Sequence, residues 1–144
     1  MPQPLSDSTI LFLQTIWALD HRLQSHSKRM KAQTGVTGPQ RLVLRILSMQ
    51  PKISPSELAR ILFFHKSTVT VILRSLERGK LVRRQPNRDD RRAVLLELTA
   101  AGKRIATERS GTVESVMRRA LGGMSRRDVE TAQRVLGDLA TALT

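Results

Sequence analysis

The chain contains no cysteine, which removes disulfides, thiol redox sensing and thiolate metal sites together. A cytoplasmic protein is the simplest expectation. Aromatic residues make up only 3% of the sequence, too few for the stacking platforms that hold RNA or single-stranded DNA. Histidine is scarce as well: His21, His26 and His65 are the whole set. None of them sits in HExxH or another metal-ligand spacing, and His21 and His26, five positions apart, fall on different faces of a helix. With no glycine-rich phosphate loop and no nucleophile elbow, the expectation is a protein that is not an enzyme and needs neither metal nor cofactor. No apolar run approaches about 18 residues, and Asp7 rather than a basic segment precedes Ile10-Leu11-Phe12-Leu13, so neither a membrane span nor a signal peptide is expected. Acidic residues are also few, with 12 Asp and Glu against 25 Lys and Arg and a formal net charge of +13. That balance argues for a polyanionic partner.

What the chain does have is 144 residues, 40% of them hydrophobic, enough for one domain with a core if its helices pack or pair. The stretch that organises it runs from Ser54 to Leu98. Ser54-Pro55-Ser56-Glu57 places Ser at an N-cap, Pro at the first helical position and Glu at the third, a helix start at Pro55. Leu58, Ala59, Ile61 and Leu62 are its expected buried face. Phe63-Phe64-His65 leads into a second helix over about 66–78, where Val69, Ile72, Leu73 and Leu76 recur at i, i+3, i+4 and i+7. Its other face carries Lys66, Ser67, Thr68, Thr70, Val71, Arg74 and Arg78, preceded by His65. Hydroxyls near a helix N-terminus reach phosphates or base edges, and arginine forks onto guanine; an ordinary solvated face would carry the same residues.

The continuation separates these readings. Gly79 is read as the helix stop, and Leu81-Val82-Arg83-Arg84 begins an extended segment. A charged turn follows, Pro86-Asn87-Arg88-Asp89-Asp90-Arg91-Arg92, and Ala93 to Leu98 returns as a strand. Two apolar strands around a basic tip make a β-hairpin wing over about 81–98, whose guanidinium groups suit the narrow minor groove. Arg84, Arg88, Arg91 and Arg92 are its candidate contacts, with Asp90 expected to orient Arg92. Between Pro51 and Arg104 there are 13 basic residues and 5 acidic ones, so most of the excess charge lies in this segment.

Leu58-Ala59-Arg60, Lys66-Ser67-Thr68-Val69-Thr70, Leu76 through Arg84, Asp90-Arg91-Arg92-Ala93-Val94 and Leu98-Thr99-Ala100-Ala101-Gly102, in this order, resemble the winged-helix core of the MarR family, dimeric bacterial transcriptional regulators. The resemblance implies a mainly α fold of the α+β type: a winged helix-turn-helix over 37–104 with dimerisation helices at 1–33 and 105–144, all in one domain. It implies a homodimer that binds double-stranded DNA at a pseudo-palindromic operator, acts as a repressor, and is released by a small organic anion near the junction of the two parts. Trp17, His21, Arg22, Arg41 and Arg45 are the candidates for such a pocket; plain surface charge on the first two helices is the competing reading. The sequence departs from the family at the inter-helix turn, where Phe63 stands in place of the usual Gly and would strain a left-handed backbone. Val71 replaces a frequent Arg, and Asn87 and Asp89 replace a frequent Asp and Arg. A general or architectural nucleic-acid binder is the alternative that the charge alone would allow.

The flanking segments are read from pattern. A first helix runs from about Ser6 or Ser8 to Lys31, with Leu13, Ile16, Trp17, Leu19 and Leu23 near its apolar side. A second spans Gln40 to Gln50 with Leu42, Val43, Ile46 and Leu47 inward, and Pro51-Lys52-Ile53 offers a strand to the wing. After the wing one helix is expected from Thr99 to about Leu121, broken by Gly122-Gly123. Ser125, with Asp128 three positions on, caps a last helix whose stripe is Val129, Ala132, Leu136, Leu139 and Leu143. These end helices leave apolar faces that a second copy would cover.

Overall fold

The computed structural model describes residues 6–143. Among the described residues seven helices and two strands follow one another as α1 (Ser8–Thr34), α2 (Gly38–Met49), α3 (Pro55–Leu62), α4 (Lys66–Arg78), β1 (Val82–Pro86), β2 (Val94–Leu98), α5 (Ala100–Thr107), α6 (Val113–Leu121) and α7 (Arg126–Ala142). The winged helix-turn-helix core with helical extensions at both ends is therefore present.

Side-chain caps set most of the helix starts. The Asp7 carboxylate accepts from the amides of Thr9 and Ile10 at the head of α1, a 27-residue helix with neither Gly nor Pro in it. It continues three residues past Lys31, because Gly35 takes the left-handed conformation that closes it. Thr37 and Gln40 form a reciprocal capping box on α2. Ser54 accepts from the Glu57 amide on α3, as its sequence indicates.

Two helices end in the same motif. After α4 the amide of Leu81 reaches the Leu76 carbonyl (2.9 Å) and that of Lys80 reaches Glu77 (3.0 Å), the paired bonds of a Schellman stop. Its left-handed residue is Lys80, at φ 56°, while the expected glycine, Gly79, sits at φ −75°. After α3 the Phe64 amide reaches Ala59 (3.1 Å) and the Phe63 amide reaches Arg60 (3.3 Å), with Phe63 left-handed at φ 55°. The strain foreseen at Phe63 is thus part of the turn itself.

The core lies between α2, α4 and the wing. Val43, Leu44, Leu58, Val69, Leu73, Leu76, Leu96 and Ala106 are almost wholly buried, and each large aliphatic one contributes about 1.5–3 kcal/mol. Two expected core positions lie elsewhere: Leu42 and Ile61 are exposed, and Leu44 takes the inward place on α2. Five of the six positions from Leu42 to Leu47 are apolar, so the pattern leaves the phase of α2 open.

β1 and β2 pair antiparallel from Val82↔Leu98 to Pro86↔Val94, and Ile53 adds one bridge to Leu96, the strand contact expected of Pro51-Lys52-Ile53. The wing root is clamped by the start of α5. Thr99 sends its amide to the Leu81 carbonyl and its hydroxyl to the Lys80 carbonyl, and Gly102 packs so close that a Cβ would lie 2.1 Å from the Leu81 oxygen.

The single helix expected from Thr99 to Leu121 is in fact two, α5 and α6. Glu108 interrupts it by accepting from the amides of Arg109 and Ser110 and from the Ser110 hydroxyl. Gly111 turns left-handed, and Thr112 caps α6 through the Ser115 amide. No residue of α6 or α7 is buried, and α1 exposes Ile10, Leu11, Phe12, Leu13, Trp17 and Leu19.

Candidate nucleic-acid interface

α4 is held by its apolar side and, toward α2, by a polar tie: the Gln40 amide group, at the start of α2, donates to the Ser75 hydroxyl at 2.9 Å. Lys66, Ser67, Thr68, Val71, Arg74 and Arg78 are left exposed. His65 is the N-cap by its extended backbone, and its side chain makes no capping bond, so the first-turn amides stay open to an anion. Thr70 is half-buried and its hydroxyl donates to the Lys66 carbonyl (2.8 Å), which leaves that oxygen only its acceptor capacity, suited to a base amino group. Val71, 65% exposed, is a bare aliphatic group in the middle of this face, a shape that fits a thymine methyl.

In the wing, side chains build the turn. The Asn87 side chain accepts from the Asp89 amide, and the Ala93 amide reaches the Asp90 carbonyl. Asp90 does act on Arg92, although through the backbone: its carboxylate accepts from the Arg92 amide at 3.0 Å, an Asx turn that aims the chain and leaves the guanidinium free. Two wing arginines are engaged. Arg84 is ion-paired with Glu77 of α4, which ties the wing to that helix, and Arg83 is paired with Glu97 at 3.2 Å across the strands. That Arg83 bond holds the Glu97 carboxyl below the usual carboxylate range. Among the described residues the guanidinium groups of Arg74, Arg78, Arg88, Arg91 and Arg92 have no protein partner. With the exposed Lys66 ammonium, these are unneutralised cations on α4 and the wing tip.

A cavity of about 510 Å³ opens where α1, α2 and α6 meet. Of the five candidate pocket residues, Arg41 and Arg45 line it and Trp17, His21 and Arg22 do not; α1 leaves these three exposed. Arg41 is 4% exposed and bonds Glu114 at 2.7 Å and the Glu108 carbonyl. Arg45 donates to the Ala106 carbonyl at 3.1 Å and lies 3.5 Å from Glu114. Asp20, Phe64 and Glu114 also line the cavity and were not foreseen. Arg41 and Arg45 share a face at i, i+4, which was a readable signal, but nothing local links them to Glu114, 73 positions from Arg41. Among the described residues no group of His, Asp or Glu could hold a metal ion, and none of their helices is long and apolar enough to cross a membrane.

Residues 34–93 match the model of the MarR family, a span running from the end of α1 to the wing tip. The helix-turn-helix transcriptional regulator TtmR of Methylorubrum extorquens is 30% identical over 140 residues, covering 97% of this chain and 68% of TtmR. A MepR-like protein solved with pseudoligands superposes at a TM-score of 0.78 with 26% identity, over 95% of this chain and 97% of that one. The S. aureus MepR in its DNA complex shares the fold at a TM-score of 0.77 and 21% identity, over 92% of this chain and 98% of that one. With the family model matching the helix-turn-helix and wing and a 30% identical regulator aligned over 97% of its residues, the chain belongs to the MarR family of winged helix-turn-helix transcriptional regulators.

Proposed function

We propose that two copies of this chain bind double-stranded DNA at an inverted-repeat operator and repress the promoter beneath it. The observation that carries this reading is the set of five unpartnered guanidinium groups on α4 and the wing, two elements joined by the Arg84–Glu77 pair. α4 would enter the major groove and read bases through Thr70, Val71 and Arg74, with His65, Lys66, Ser67, Thr68 and Arg78 on bases or the phosphates beside them. Arg88, Arg91 and Arg92 would reach the adjoining minor groove. The apolar faces of α1 and α7 would bury each other across a two-fold axis. In the same reading a small organic anion in the cavity beside Arg41 and Arg45 would favour dimers whose reading helices no longer match successive grooves, a population shift that frees the promoter.

The test is selection of bound duplexes from a random DNA pool by the purified protein. An inverted repeat with half-site centres roughly 34 Å apart along the helix is the expected result. Enrichment without a symmetric motif would replace this reading with a general nucleic-acid binder, which the net charge of +13 would also serve.

A further inference from the structure

The break between α5 and α6 builds a second cavity, of about 320 Å³, lined by Arg41, Arg45, Arg109, Thr112, Glu114 and Arg118. Four guanidinium groups thus face one carboxylate. Arg41 and Glu114 neutralise one another at 2.7 Å, and Thr112 is occupied in capping its own helix. Glu108 is the other acid at this junction, and its carboxylate is committed to the Arg109 and Ser110 donors of the loop. Arg45 is held only by one carbonyl and a 3.5 Å approach to Glu114. Arg109 and Arg118 are exposed and have no side-chain partner among the described residues. The lining alone carries three surplus positive charges, which repel each other; nearby Glu108, through its attraction to Arg41, offsets part of that repulsion, and an anion relieves the rest.

From this geometry we propose that the cavity is a binding site for a compact dianion of the phosphate monoester class, held by Arg45, Arg109 and Arg118. Arginine forks match phosphate oxygens two at a time, and a dianion offsets most of the surplus where a carboxylate offsets one charge. The site is separate from the larger cavity and communicates with it, because Arg41, Arg45 and Glu114 line both. A dianion that draws Arg45 away from Glu114 changes the charge presented to whatever occupies the larger space.

The claim is tested on the purified full chain without DNA, by calorimetric titration with phenyl phosphate and, as the monoanion, benzoate. Saturable binding of one phenyl phosphate per chain is expected, tighter than benzoate. Arg109→Ala and Arg118→Ala should each weaken it about tenfold while melting close to the wild type, since both side chains are exposed. Arg127→Ala removes the same charge from α7 and should leave the affinity within about twofold. Absence of saturable binding, equal affinity for benzoate, or equal losses in all three variants would overturn the site. Because no DNA is present, failure here is independent of failure of the operator selection.

Discussion

Phe63 holds φ 55° and ψ 34°, a conformation that costs a residue with a Cβ about 1–2 kcal/mol and costs glycine almost nothing. Its ring is 55% exposed, so little packing offsets that cost. Phe63→Gly should therefore raise stability by about 1 kcal/mol once the greater freedom of the unfolded glycine chain is deducted, as read from denaturant unfolding; a loss of stability would mean that the ring's contacts outweigh the strain. This strain was legible, because the neighbouring motifs placed Phe63 where a glycine is usual. The left-handed Lys80 was not, since Gly79 beside it looked like the natural stop and a lysine carries no sign of its backbone. Glu108 makes a second residue-scale prediction. Ser110, through its amide and then its hydroxyl, and the Arg109 amide hold the Glu108 carboxyl below its usual range. A lowered folded value means stability that is full above the unfolded pKa, about 4.3, and lost as the pH falls through the folded one. The melting temperature of the wild type should accordingly drop more than that of Glu108→Gln between about pH 5 and about pH 3. Parallel curves would show that the loop does not depend on the ionised carboxylate.

Among the elements, the wing was the easiest to read and the α5–α6 junction the hardest. Apolar segments on both sides of a charged, turn-rich tip made the hairpin readable; the contact of Asp90 with Arg92 had to be moved from side chain to backbone, and Arg84 turned out to be engaged by Glu77. At the junction, Ile105, Val113, Val116 and Met117 fit one helical face and masked the stop in between. Ser110-Gly111-Thr112 was the signal to weigh more heavily, a turn cluster ending in an N-cap. The phase of α2 was ambiguous for the opposite reason, an excess of apolar residues. The wing's attachment yields the element-scale prediction. Because a Cβ at Gly102 would meet the Leu81 backbone oxygen at 2.1 Å, Gly102→Ala must push α5 away from the wing root. A loss of about 3 kcal/mol is expected, with weaker DNA binding from a misplaced hairpin. A melting temperature equal to the wild type's would show that the α5 start shifts without strain.

For the molecule as a whole, the fold was legible because several short motifs recur in fixed order, which composition and periodicity alone would not have named. Of the cavities only Arg41 and Arg45 were legible, since the rest depends on pairings such as Arg41 with Glu114 that join distant parts of the chain. The uncovered α1 surface carries the prediction at this scale. Trp17 is 65% exposed, and Trp17→Glu places a charge on a face that a second copy would otherwise bury. Sedimentation should show the mass halved at micromolar concentration and operator affinity reduced at least about tenfold; an unchanged dimer would place the interface elsewhere. α1 has one more consequence. At about 1.5 Å per residue its 27 residues make a rod of about 40 Å, comparable to the spacing of successive major grooves, and it has neither Gly nor Pro at which to yield. A rod of that length works as a lever: tilting one end by about 5° carries the other roughly 3.5 Å, close to the 3.4 Å rise of a base step. Angular play that small would let the proposed dimer follow a change of one base step between its half-sites, so operators whose spacing differs by a single base pair should both be bound.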